Sequence, residues 1–284
     1  AIGYTRPHLP FVAPQKYWDL YEREKIPLAS FQKHARNSPE IAYHNSGELR
    51  SYTDISSLVS FSDQSYGIGL PENKQKELIH GYYAATSYID AQIGKILDYL
   101  EYSGLIKNTI IILWGDHGWH LGDHELWCKH TNFENSTRSP LIICAPWIRA
   151  GMTSCITEFV DVFPTLCELA GLPLPENLDG LSLVPLMKNH DDKIKDFAIS
   201  QFPRGEKIMG YSMRTQQYRF TVWISNNYRK NRIFDEDSVI AKELYDYKLD
   251  PLEKYNLIDS TGYTNICRDL QKIMFSYFEK ESKK

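Results

Sequence analysis

The chain has 284 residues, of which 42% are hydrophobic, 24% charged and 13% aromatic. That length can bury a sizeable core as one large domain or as a main domain with a smaller subdomain, and the composition excludes a disordered or collagen-like chain. With 32 basic against 36 acidic residues the formal charge is −4, and no long run of Lys or Arg occurs, so a nucleic-acid groove or an anionic-membrane patch has no electrostatic basis.

The first 70 residues, rich in Pro, Ser and Tyr, have weak periodicity and read as a long ordered loop region. From Pro71 to Gly104, Leu78, Tyr82, Ala85, Ile89, Ile93, Ile96, Leu97 and Leu100 recur at helical spacing, with Gly104 where a C-cap glycine belongs, which predicts a long amphipathic helix. Asn108 to Gly115 is a short β-branched apolar run, expected as a strand buried on both faces. A second such run, Pro140 to Pro146, and a helical stretch from Glu158 to Ala170 ending at Gly171 continue the alternation, which predicts an α/β fold with a mainly parallel sheet covered by helices. After a polar break at 189–195, Gly210 to Thr215, the link Gln216-Gln217 and Tyr218 to Ile224 predict a β-hairpin. Lys242 to Tyr247 reads as another strand and Asn265 to Glu281 as a closing helix. The expected division is therefore 1–188 for the main domain and 189–284 for a C-terminal subdomain. No internal repeat is evident.

The longest apolar runs, Thr109 to Trp114 and Leu141 to Ile148, fall far short of the roughly 20 residues that span a bilayer, so no membrane insertion is expected. The residues from Ala1 to His8 carry neither an initiator Met nor the charged and apolar regions of a signal peptide, which a missing start would also produce. Five cysteines, Cys128, Cys144, Cys155, Cys167 and Cys267, are too scattered for a disulfide framework and form no Cys-x-x-Cys pair, and Cys144, inside an apolar strand, reads as core.

Asp116-His117-Gly118 follows directly on the predicted strand, at the kind of strand end where open α/β sheets build their sites. An acid and an imidazole there can bind a metal; equally, Asp116 can cap the following turn while His117 is a satisfied loop histidine. The run from Gly115 to His130 adds His120, Asp123, His124, Glu125, Lys129 and His130. Three of its histidines are close enough for zinc, but the order is not His-Glu-x-x-His and the glycines oppose a helix. An oxygen-rich site with one imidazole suits calcium or magnesium better, given carboxylates from elsewhere. Lys129 then offers a second positive group for an oxyanion such as sulfate or phosphate. His8 lies between Pro7 and Pro10, which restrict the backbone and favour rigid placement of an acid catalyst; it can also be an ordinary loop histidine. Arg204, in Phe202-Pro203-Arg204-Gly205, is another rigidly framed cation. The chain has no Gly-x-Ser-x-Gly elbow, no Gly-x-x-x-x-Gly-Lys loop and no Gly-x-Gly-x-x-Gly, so serine-hydrolase and nucleotide readings lose support. Asn135-Ser136-Thr137 is a glycosylation sequon.

Taken in order, these segments resemble the sulfatase family. The resemblance rests on Gly3-Tyr4 with Arg6 to Phe11, Tyr83 to Asp90, Asp116 to Trp119 with Leu121-Gly122 and Trp127-Cys128-Lys129, and Phe163 to Leu166 with Leu169 to Leu172. It continues through Asp179-Gly180, Gln201 to Arg204, and Lys207 to Trp223. It implies part of an alkaline-phosphatase-like sheet flanked by helices, plus a small C-terminal antiparallel sheet carrying a helix. It further implies a calcium ion held in part by Asp116 and His117, sulfate bound by Lys129 and His8, and His8 protonating the departing sugar oxygen. Arg204 would face an anionic sugar and Trp119 would line the substrate pocket. The implied substrate is a 2-O-sulfated iduronate in heparan or dermatan sulfate, and the implied location lysosomal. The family's nucleophile is a formylglycine made in a Cys-x-Pro-x-Arg segment, which this chain lacks; Cys144-Ala145-Pro146-Trp147-Ile148-Arg149 has its Arg one residue late. Also lacking is the paired Asp-Asp of a sulfatase amino terminus. The expectation is a carboxyl-terminal part of a longer enzyme, inactive alone, with the missing N-terminal part as its partner. The alternatives are a non-catalytic sulfatase-like protein that binds anionic sugars, and a phosphodiesterase of the related alkaline phosphatase superfamily.

Overall fold

A computed structural model describes residues 1–58, 67–227 and 236–281. The chain divides into two compact units. The first comprises 1–33, 43–109 and 117–129; the second comprises 34–42, 110–116 and 130–284.

The spine of the first unit is the helix Glu72–Tyr102, 31 residues long. Pro71 precedes it with extended backbone, where a missing N–H costs nothing, and Gly104 follows it at φ +74°, the left-handed turn predicted for that glycine. Its N-terminal half carries the buried positions, Leu78, Ile79, Ala84 and Ala85 among them, whereas Leu97 near the other end is exposed. The predicted stripe is thus real but is used mainly over its first half. Leu78 and Ile79 pack into a core with Leu9, Ile26, Leu49, Ile55, Ile68, Leu70, Trp127 and Cys128. Much of this core comes from the first 70 residues, whose described part is built of short helical turns such as Gly47–Arg50 and Thr53–Ser56; 59–66 lie outside the described residues. A methyl group on Gly81 would sit 2.8 Å from the Phe11 Cβ and 3.0 Å from the Trp18 ring. The helix therefore lies close against the segment that begins at His8.

In the second unit, strand β1 (Ile111–Trp114) pairs with a later strand (Leu141–Cys144) antiparallel, with Trp114 opposite Leu141. The expected parallel pairing is not what these two strands form. Gly115 N–H donates to the Pro140 carbonyl at 3.1 Å, so the chain re-enters beside the end it left, and that return gives an antiparallel pair. Nor is β1 buried on both faces. Leu113 and Trp114 are exposed, and in the partner strand Ile142 and Cys144 alternate outward, so Cys144 is a surface thiol and not core.

Between these strands the chain supplies the first unit with a tight antiparallel pair, β2 (His120–Leu121) with β3 (Trp127–Cys128). The Leu141–Cys144 strand is β4. The predicted helix at Glu158 is the turn Phe159–Asp161 continued by Val162–Leu169, started by reciprocal capping of Glu158 and Asp161 and closed at Gly171, φ +68°. The C-terminal part is a four-stranded antiparallel sheet of β5 (Phe197–Arg204), β6 (Ile208–Thr215), β7 (Tyr218–Ser225) and β8 (Val239–Asp246). Its β6–β7 link is the predicted Gln216-Gln217. Met213, Phe220, Val222, Ile224 and Leu244 form one core with Leu270 and Met274 of the closing helix Thr264–Glu281.

Candidate functional site

Two elements far apart in sequence bring His8 and Lys129 together in the first unit. His8 sits in a turn whose N–H donates to the Thr5 carbonyl at 3.1 Å, and the peptide bonds Arg6–Pro7 and Leu9–Pro10 on either side are both cis. Lys129 follows directly on β3, after Cys128, whose φ of +70° turns the backbone sharply at that point. The Lys129 Nζ lies 2.7 Å from His8 Nε2.

A third group completes the arrangement. Glu48, on the turn Gly47–Arg50, accepts hydrogen bonds from Lys129 Nζ at 2.7 Å on Oε1 and 2.9 Å on Oε2, and its Oε1 is 2.8 Å from His8 Nε2. The other imidazole nitrogen, Nδ1, is 2.8 Å from the Leu9 carbonyl. A carbonyl can only accept, so Nδ1 is the donor in that contact, and Nε2 is the nitrogen turned toward Lys129 and Glu48. All three side chains are part-buried, with Lys129 18% and Glu48 21% exposed, so their mutual attraction is less screened than on an open surface.

Trp119 is the hub around this pair. Its ring stands edge-on to His8 at 5.3 Å, lies 5.0 Å below the Lys129 ammonium, and stacks with His117 at 6.0 Å and Tyr82 at 6.2 Å. Phe11 joins at 6.3 Å. The indole gives the ammonium a cation–π contact and leaves the imidazole little room to turn. Of the residues singled out in the sequence, His8, His117, Trp119 and Lys129 thus belong to one cluster.

Glu48 carries no signal in the sequence. It stands in a weakly periodic stretch with no motif, and its partners are 40 and 81 positions away. The neighbouring Cys128 thiol is fully buried, and burial, reinforced by the Glu48 charge, pushes it far above the ordinary cysteine range. His120 and His124, in the same run, are buried. Burial holds the imidazole of His120 well below its ordinary pKa, with further repulsion from His124 and His44.

The metal expectation draws on Asp116 and His117, which are consecutive but belong to different compact units, Asp116 ending one segment and His117 opening the next. His117 Nδ1 is 2.8 Å from the Gly118 carbonyl, so ligation would go through Nε2. One carboxylate and one imidazole fall short of the six to eight oxygens that calcium takes, and among the described residues no three His, Cys, Asp or Glu side chains group as a metal site. These residues alone do not make a calcium site.

In the second unit Arg204, at the end of β5, donates from Nε to the Ile41 carbonyl and from Nη2 to the Ala42 carbonyl, both at 2.9 Å. Its guanidinium lies 5.2 Å from the rings of Phe202 and Trp223. The charge is therefore tied to the backbone of 34–42.

With this geometry in place, comparison with known proteins defines the class. The sulfatase family model matches residues 2–172, and the model for the C-terminal part of N-sulphoglucosamine sulphohydrolase matches 122–280; the chain belongs to the sulfatase family. Among particular relatives, it is 31% identical to iduronate 2-sulfatase of Mus musculus over 95% of this chain and 59% of that protein. For the Homo sapiens iduronate 2-sulfatase the identity is again 31%, over 92% of this chain and 58% of that one. A solved structure in complex with its substrate D-glucosamine-2-N,6-O-disulfate superimposes with a TM-score of 0.76 at 23% identity, covering 98% of this chain and 64% of that one. The likeness supports the alkaline-phosphatase-like fold class. The chain spans less than two thirds of the length of the curated relatives it matches.

Proposed function

We propose that this chain is part of a sulfuric ester hydrolase that removes 2-O-sulfate from iduronate units of heparan or dermatan sulfate. The observation that carries the reading is the contact between His8 Nε2 and Lys129 Nζ, 2.7 Å across 121 positions of sequence. An ammonium and an imidazole held together, half out of water and backed by an indole, form a receptor for one oxyanion.

In this reading the sulfur–oxygen bond to the sugar breaks while a new one forms to the attacking group. Lys129 holds a sulfate oxygen as negative charge grows on it. His8, its Nδ1 proton committed to Leu9, delivers the Nε2 proton to the departing sugar oxygen. Trp119 walls the pocket beside His8 and Lys129; Arg204, expected to face the sugar carboxylate, donates to the Ile41 and Ala42 carbonyls, so its part in this reading is to fix those residues. Asp116 and His117 would supply two ligands to a calcium ion whose remaining carboxylates, like the Cys-x-Pro-x-Arg nucleophile segment, come from a longer polypeptide. That polypeptide is also the proposed partner of the apolar strands β1 and β4, and by itself the present chain would not turn over substrate. The proposed setting is the lysosome, in keeping with the glycan substrate. What favours the iduronate substrate is the 31% identity over nearly the whole chain to iduronate 2-sulfatases.

The test is sulfate release from a 2-O-sulfated iduronate disaccharide by the polypeptide that carries this chain. Lys129→Ala should lower turnover on the order of 100-fold or more. Unchanged turnover in that variant would remove Lys129 from the reaction.

A further inference from the structure

The carboxylate of Glu48 stands on the substrate side of the clamp. His8 can offer a reacting oxygen only Nε2, since Nδ1 is bound to Leu9, and Nε2 is the nitrogen that Glu48 Oε1 approaches at 2.8 Å. A carboxylate that merely oriented the imidazole would sit on the other nitrogen, leaving the working one to substrate. The same Oε1 is 2.7 Å from Lys129 Nζ, so one oxygen is shared by both groups that would bind a sulfate oxygen.

The backbone under Glu48 is firmly held. Leu49 is buried in the core, and Arg50, almost fully buried, donates to the Asn45 carbonyl at 2.5 Å and the Gly67 carbonyl at 3.1 Å. The Gly47–Arg50 turn that carries Glu48 is thereby anchored to the core and to the backbone of Asn45 and Gly67.

We propose that Glu48 is a built-in stopper of the oxyanion clamp, occupying the place between Lys129 and His8 that a sulfate oxygen takes, so that substrate entry exchanges one oxyanion for another. This rests on the reading of His8 and Lys129 as the sulfate receptor and deepens it. A carboxylate and a sulfate monoester each carry one negative charge, so the clamp is neutralised to the same degree before and after the exchange. A sulfate ester on a sugar anchored by its other groups can therefore displace the carboxylate, whereas free sulfate, which lacks that anchorage, competes with it unaided. After cleavage the returning carboxylate helps expel the product.

Titrating the 284-residue chain with sodium sulfate in a calorimeter tests this. Glu48→Gln, which keeps size and loses charge, should bind sulfate on the order of tenfold more tightly than the unmodified chain. Adding Lys129→Ala to Glu48→Gln should abolish the gain. Glu48→Ala should show the same direction, so a folding defect in one variant does not decide the result. Should sulfate bind in a Lys129-dependent manner but equally or more weakly without the Glu48 charge, Glu48 supports the clamp and the stopper is wrong, while the receptor reading stands. If no variant binds sulfate in a Lys129-dependent manner, the receptor reading fails and the stopper with it.

Discussion

Burial and hydrogen bonding pull the Glu243 carboxyl in opposite directions. Burial dominates and pushes it up to about 7, against hydrogen bonds from Tyr245 and Trp223 that favour the charged form; the Glu253 charge adds to the rise and Arg204 opposes it. The Trp223 Nε1–H donates to one oxygen at 2.8 Å and the Tyr245 hydroxyl to the other at 2.7 Å. Between about pH 4.5 and 7 the unfolded chain has lost this proton while the folded one keeps it, so this contribution to stability declines as pH rises through that window and levels off above it. Glutamine cannot ionise, so Glu243→Gln should gain over the parent between pH 5 and pH 8 by roughly 2–3 kcal/mol. Urea midpoints at the two pH values measure this, and an equal difference at both would contradict it. At this scale the sequence was partly legible: His8, His117, Trp119 and Lys129 stand in recognisable segments, whereas Glu48 acquires its meaning only from partners that no local pattern reveals.

At the scale of elements, Gly180 shows why one glycine of the family-like strings is required. A methyl group there would fall 1.9 Å from the Val160 carbonyl oxygen and 2.8 Å from Asp161 N, both backbone atoms that cannot swing aside. This close approach lets Leu181 N–H reach the buried Asp161 carboxylate at 2.9 Å, the same carboxylate that pairs with Lys195 at 2.7 Å and helps start the Val162–Leu169 helix. Gly180→Ala should therefore cost about 1–3 kcal/mol in the urea midpoint, and a cost within about 0.5 kcal/mol would contradict this role. Arg214 and Arg219 have a similar structural use: both pair with Glu134, and Arg219 also binds Glu253 at 2.8 Å, joining β6 and β7 to the Glu134–Thr137 turn. The long helix, the β6–β7 hairpin and the closing helix were readable because each is amphipathic over many residues or bounded by a clear turn. The pairing sense of β1 and β4 was not, because a short continuous apolar run looks the same in a parallel or an antiparallel partnership. Their exposure was equally invisible, since hydrophobicity reports what a strand would bury and not whether a covering layer is present.

At the scale of the molecule, His8 and Lys129 meet within one compact unit although they stand 121 positions apart in the chain. Gly81 lets the long helix approach the segment following His8, the core around Leu9, Leu49 and Trp127 fixes both ends, and the β2–β3 pair presents Lys129 after a left-handed Cys128. Two groups that grip one oxyanion act as a unit, so their losses do not add. The most direct test is a double-mutant cycle on sulfate release by the polypeptide carrying this chain, using His8→Ala, Lys129→Ala and both together. Each single change should lower turnover on the order of 100-fold, and the double variant should be little worse than the poorer single one. Full additivity of the two losses, or wild-type turnover in either single variant, would contradict the shared oxyanion clamp.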